Sequence, residues 1–125
     1  MDTMELDKES QEKLQELQIL EHNLQNILMQ KQAFQLELNE TVNALEEVKK
    51  TSSDIYKMVG SIMIKANKEK TLKDLEEKKK VLELRNKSLD NQEKLFHNKV
   101  QEIQGFLKTS VEKQHAKEED KKPQK

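Results

Sequence analysis

The sequence predicts an all-α-dominated fold, a long antiparallel two-helix coiled coil with one β-hairpin between the helices. Three observations carry this. Two heptad-patterned stretches of nearly equal length, 14–48 and 72–107, make up most of the chain. Between them, Ile-Tyr-Lys-Met-Val-Gly-Ser-Ile-Met-Ile-Lys-Ala (55–66) is rich in Ile, Val and Tyr, which favour a pleated strand. Composition agrees: 38% of the 125 residues are charged and 3% aromatic, with two Gly and one Pro, a profile of amphipathic helices and not of a globular enzyme core.

The first thirteen residues are polar, with Leu6 the main apolar side chain, and read as a frayed helical lead-in. The first helix is expected over 14–52. Leu17, Leu20, Leu24, Ile27, Lys31, Phe34, Leu38, Thr41, Leu45 and Val48 step alternately by three and four, an a/d seam of almost five heptads. Leu14, Ile19, Leu28, Leu36 and Val42 flank it, so the apolar stripe is wider than a two-stranded seam needs. Thr51-Ser52-Ser53-Asp54 ends the helix, because these side chains compete for local backbone hydrogen bonds.

Gly60-Ser61 sits at the centre of the next segment. A Gly-X pair between strand-like runs signals a two-residue turn, since Gly takes the positive φ that a type II′ turn needs. Val59 then faces Ile62, Lys57 faces Ile64 and Ile55 faces Ala66 on one surface, with Tyr56, Met58, Met63 and Lys65 on the other. A lone hairpin is marginal in water and presents two open edges. It either packs on its own helices or joins strands of other subunits, and apolar residues on both faces favour the second.

The second helix starts at Asn67 or Thr71 as N-cap, with Thr71 and Asp74 at capping-box spacing. Its seam runs Leu72, Leu75, Lys79, Leu82, Asn86, Leu89, Glu93, Phe96, Val100, Ile103 and Leu107, with three polar intrusions of the kind that fix register. Residues 1–111 thus form one domain, and the charged segment 112–125 reads as a disordered tail. The turn places the hairpin at one end of the coiled coil and both termini at the other.

The net charge of −1 divides into −6 over residues 1–52 and +5 over 53–125, which favours the halves lying against each other. The overall balance argues against nucleic acid as a partner. There is no cysteine, hence no disulfide or thiolate chemistry. No apolar run is long enough to cross a membrane, and the acidic N-terminus lacks the apolar core of a secretory signal, so a cytoplasmic location is expected. His22, His97 and His115 share no metal-ligand spacing and read as solvated, and no phosphate loop or catalytic constellation exists. No enzyme, cofactor or metal is expected.

The hairpin pattern, Ile55-Tyr-Lys-Met-Val-Gly-Ser-Ile-Met-Ile-Lys65, resembles that of β-class prefoldin subunits of archaeal type. Ile27-Leu-Met-Gln-Lys-Gln32, Lys68-Glu-Lys-Thr-Leu-Lys-Asp-Leu-Glu-Glu-Lys78 and Leu82-Glu-Leu-Arg85 are similar to the flanking helices of that class. The single hairpin also fits the β class, since α-class subunits have two. The resemblance covers about residues 10–108, and the hairpin is its most specific part. It implies an ATP-independent holdase chaperone whose hairpins form an inter-subunit β-barrel platform in a hexamer of two α-class and four β-class subunits. Non-native clients would be gripped at the coiled-coil tips and passed to a group II chaperonin. The long charged tail departs from the family.

On this reading, subunit assembly falls to Ile55, Tyr56, Met58, Val59, Gly60, Ile62, Met63 and Ile64. Client binding falls to Leu6, Leu14, Leu17 and Ile19 of the first helix and Phe106, Leu107 and Val111 of the second, where a splayed tip exposes apolar side chains. Met29, Met58 and Met63 read first as packing residues. The competing reading is a structural coiled-coil tether or scaffold adaptor, for which a plain turn between the helices would suffice.

Overall fold

A computed structural model of the chain describes the backbone of residues 7–121 and the side chains of residues 7–113. The elements are helix α1 (Lys8–Lys50), strands β1 (Ile55–Val59) and β2 (Ile62–Ala66), and helix α2 (Lys68–Lys121). The expected hairpin boundaries hold, and the helices are both longer than the seam alone foretold.

Helix α1 begins at Lys8, inside the stretch expected to fray. Asp7 caps it: the Ser10 backbone N–H donates to Asp7 Oδ1 at 2.7 Å, satisfying one of the orphan donors of the first turn. Ser10 itself is fully buried, and its Oγ lies within hydrogen-bond distance of Ser110 Oγ, at 3.2 Å. That tertiary contact holds a turn that propensity alone would leave loose. Helix α2 likewise continues past residue 112, where a disordered tail was expected, to Lys121. Residues 112–121 are mostly Glu, Lys, Gln and Ala with no Gly or Pro, so an established helix propagates through them at little cost. Of the two candidate caps for α2, Asn67 is the one used: the Lys70 N–H donates to Asn67 Oδ1 at 3.0 Å.

The chain divides into two compact units. The first comprises residues up to Ile27 and from Asn91 onward. Leu20, Val100 and Ile103 form its buried cluster, with Leu17, Leu24, Phe96 and Leu107 packed around them. The second comprises Leu28–Asp90 and contains the hairpin. Its buried side chains include Leu45, Leu82 and Leu89. Thr41 is also buried in that seam, and its hydroxyl donates back to the Glu37 carbonyl at 2.8 Å, so this hydroxyl is not left without a partner. Every predicted seam position in both helices is buried or half-buried.

Cross-helix ion pairs in the second unit give the direction: Lys31–Asp90 at 2.7 Å, Glu37–Lys78 at 3.2 Å and Lys49–Glu76 at 3.5 Å. Rising numbers on α1 meet falling numbers on α2, so the helices run antiparallel. Arg85 lies over the Phe34 ring at 5.6 Å. The polar intrusion Asn86 offers its amide to Gln35 Oε1 at the long distance of 3.5 Å, while its Oδ1 is buried without a partner.

Candidate functional site

The hairpin is built as its sequence demands. Pairs run Val59–Ile62, Met58–Met63, Lys57–Ile64, Tyr56–Lys65 and Ile55–Ala66, the expected register. Gly60 has φ of +64° and Ser61 has no positive φ, the combination of a type II′ turn. Asn67 and Lys68 start α2 immediately after β2, and Lys68 Nζ donates to the Thr51 carbonyl at 2.7 Å, tying the end of α1 to the start of α2. Lys65 pairs with Asp54 at 3.4 Å across the open end of the hairpin.

Both faces of this two-stranded sheet are apolar and open. Tyr56, Met58, Val59, Ile62, Met63 and Ile64 are each more than half exposed, and Ile55 is half-buried. Burying one such side chain is worth roughly 1.5–3 kcal/mol, so six of them represent a large unrealised gain. Both edges are open as well. The pair beside a two-residue turn is hydrogen-bonded, and bonding then alternates along the ladder. Tyr56 and Met58 on β1, and Met63 and Lys65 on β2, therefore direct their backbone groups outward. Beside the hairpin, Val59, Ile64 and Ala66 share a groove of about 340 Å³ with Lys70, Thr71 and Asp74 at the start of α2.

The predicted client residues fall in the other unit. Leu6 lies outside the described residues. Leu14, Ile19 and Val111 are exposed, Ile19 most of all at 62%. Leu17 and Leu107 pack around the buried Leu20–Val100–Ile103 cluster, so they are core in this conformation. Phe106 is half-buried and lines a cleft of about 200 Å³ with Ile103, Lys13, Glu16, Lys99 and Glu102. Sequence reasoning missed this charged rim, because its members come from two helices and have no shared spacing. The Asp7 carboxyl, which accepts from both the Ser10 hydroxyl and its backbone N–H, is held below the usual Asp range. His97 is exposed with Nε2 at 3.6 Å from Glu93 Oε1. Among the described residues no group of three potential ligands is placed to hold a metal ion, and no helix is long and apolar enough to cross a membrane.

Against known proteins, the family model described as prefoldin subunit matches residues 11–120. The chain belongs to the prefoldin family. It is 41% identical over 92 residues to the prefoldin subunit beta of Pyrococcus furiosus, covering 72% of this chain and 79% of that one. Prefoldin subunit beta of Sulfolobus acidocaldarius is 35% identical over 104 residues, with 82% and 83% covered. The crystal structure of the prefoldin beta subunit from Thermococcus strain KS-1 superposes with a TM-score of 0.78 at 32% identity, covering 86% of this chain and 96% of that one. The two long helices joined by one hairpin are thus the prefoldin beta fold, and prefoldins are chaperones that assemble from several subunits.

Proposed function

We propose that this chain is a subunit of an ATP-independent holdase. Its hairpin joins hairpins of α-class prefoldin subunits and further copies of itself in an inter-subunit β-barrel, in a hexamer of two α-class and four β-class subunits. Non-native proteins are held by apolar side chains of the terminal unit and passed to a group II chaperonin in the cytoplasm. The observation that carries the reading is the hairpin, apolar on both faces and unpaired on both edges. A closed barrel removes such edges and covers one face. A tether would need no such surface. For the client surface, support comes from exposed Leu14, Ile19 and Val111 in the unit that also holds the Phe106 cleft, since non-directional apolar contact suits unfolded chains of many sequences.

The test is the solution mass of this chain mixed with an α-class prefoldin subunit, by light scattering on a sizing column. A discrete mixed hexamer that suppresses aggregation of a denatured test protein without ATP is the expected result. Separate elution of the two chains would leave the hairpin with another partner and put the tether reading in front.

A further inference from the structure

Charge is nearly absent from one face of the hairpin-containing unit. The chain as a whole is 38% charged. Between Leu28 and Leu36 of α1, however, Lys31 is the one charged residue, and it belongs to the seam, paired with Asp90 at 2.7 Å. The outward positions over this stretch are Leu28, Met29, Gln30, Gln32, Ala33, Gln35 and Leu36. Met29 and Leu36 are seven residues apart on one face, 60% and 61% exposed, and Leu28 is 45% exposed. Solvated coiled-coil faces normally carry charges at these positions. An aliphatic and carboxamide surface here needs another explanation.

Beside this face lies a cleft of about 240 Å³ lined by Leu28, Lys31, Gln32, Gln35, Asn86 and Asp90. It is smaller than the roughly 300–1,000 Å³ of small-molecule pockets, and its size suits a side chain of a passing polypeptide. Its two charges neutralise each other. Gln32 is exposed at its rim with an amide that both donates and accepts, as a peptide backbone requires. Met29, flexible and polarisable, adapts to side chains of differing shape.

We propose that this face is a second holding surface for non-native polypeptide, which takes extended segments rich in aliphatic and uncharged polar residues. This rests on the chaperone reading and adds to it a site in the hairpin-containing unit, separate from the terminal unit. Charge decides the occupant. A charged segment would lose hydration against Leu28, Met29 and Leu36, and residues 28–36 offer it no charge but that of the paired Lys31, whereas an uncharged one loses little and buries aliphatic surface. The Lys31–Asp90 pair, already satisfied, offers such a segment no competing electrostatic attraction.

The experiment uses the assembled full-length protein and two fluorescein-labelled peptides of equal length. One is built of Leu, Val, Gln and Ser, and the other has Glu and Lys in place of Gln and Ser. The double variant Met29→Glu with Leu36→Glu should weaken binding of the uncharged peptide about fivefold or more by fluorescence anisotropy. Met29→Leu with Leu36→Met should bind as the wild type does. A photo-crosslinker at Gln32 should capture the uncharged peptide in preference to the charged one. Both substituted side chains are exposed, so circular dichroism and assembly mass should not change. If wild-type protein protects a denatured test protein but the double glutamate variant binds the uncharged peptide equally well, the second surface is overturned while the chaperone reading stands. If wild-type protein protects nothing, the chaperone reading itself has failed. Equal crosslinking of both peptides would overturn the charge-based selectivity.

Discussion

Gly60 and Gly105 respond oppositely to the same substitution. Gly60 has φ of +64°, a conformation that L side chains rarely adopt, so Gly60→Ala costs about 1 kcal/mol in backbone strain even though open space surrounds it. Gly105 lies inside α2, where an added Cβ would meet nothing within 4 Å. Gly105→Ala should therefore stabilise the fold by roughly 0.5–1 kcal/mol, through helix propensity and lost unfolded-state entropy. Denaturant melts of the two variants should move in opposite directions, and a lowered midpoint for Gly105→Ala would show a hidden need for glycine there. The Asp7 cap was illegible in the sequence, because Asp7-x-x-Ser10 becomes a cap only once Ser10 is buried against Ser110. Hydrogen bonds from the Ser10 hydroxyl and N–H lower the Asp7 pKa. A depressed folded pKa means the cap contributes fully above the unfolded Asp value near 4 and is lost as pH falls through the folded value. The first turn of α1 should therefore loosen at acid pH, followed by the Ser10 amide resonance. Asp7→Asn keeps the acceptor and removes the titration, so this residue-level pH response should vanish; a Ser10 response unchanged by the substitution would place its origin elsewhere.

At the scale of elements, the seams and the hairpin were legible because their signals are periodic and local. All ten seam positions of α1 and all eleven of α2 are covered, since a three-four spacing leaves one stripe to bury. The hairpin register followed from Gly60-Ser61 alone, because a two-residue turn fixes every pair beyond it. What did not follow was the extent of the helices, which depends on contacts such as Ser10–Ser110 that have no sequence period. The hairpin has its own prediction. Val59 and Ile62 form the pair beside the turn and are both more than half exposed. Replacing both with Asp should leave the helical circular dichroism signal nearly intact and abolish assembly, since two carboxylates opposite each other repel and cannot enter an apolar barrel. A double variant with the wild-type assembly mass would remove the hairpin from the assembly surface.

For the whole molecule, the charge imbalance between the two halves of the sequence is not what pairs the helices. Glu37–Lys78 runs as the imbalance suggests, but Lys31–Asp90 and Lys49–Glu76 place the base on the acidic half. Lys49–Glu76 and Glu37–Lys78 are largely exposed, and surface pairs of this kind contribute about 0–1 kcal/mol each. A buried leucine such as Leu82 contributes about 2–5 kcal/mol against truncation to Ala. The apolar seam therefore holds the helices together, and the ion pairs refine their register. The same argument separates the two proposed surfaces. The hairpin belongs to the unit Leu28–Asp90, with buried leucines of its own at 45, 82 and 89. Leu14, Ile19, Phe106 and Val111 belong to the other unit, whose core rests on Leu20, Val100 and Ile103. Deleting residues 1–13 and 106–125 removes Phe106, Leu107, Val111 and the Ser10–Ser110 contact but none of those buried leucines. The truncated chain should therefore still assemble with its partner at the expected mass, while its protection of a denatured test protein falls severalfold. The residual protection should then drop further on Met29→Glu with Leu36→Glu. Protection undiminished by the truncation would take the principal client surface away from the terminal unit altogether.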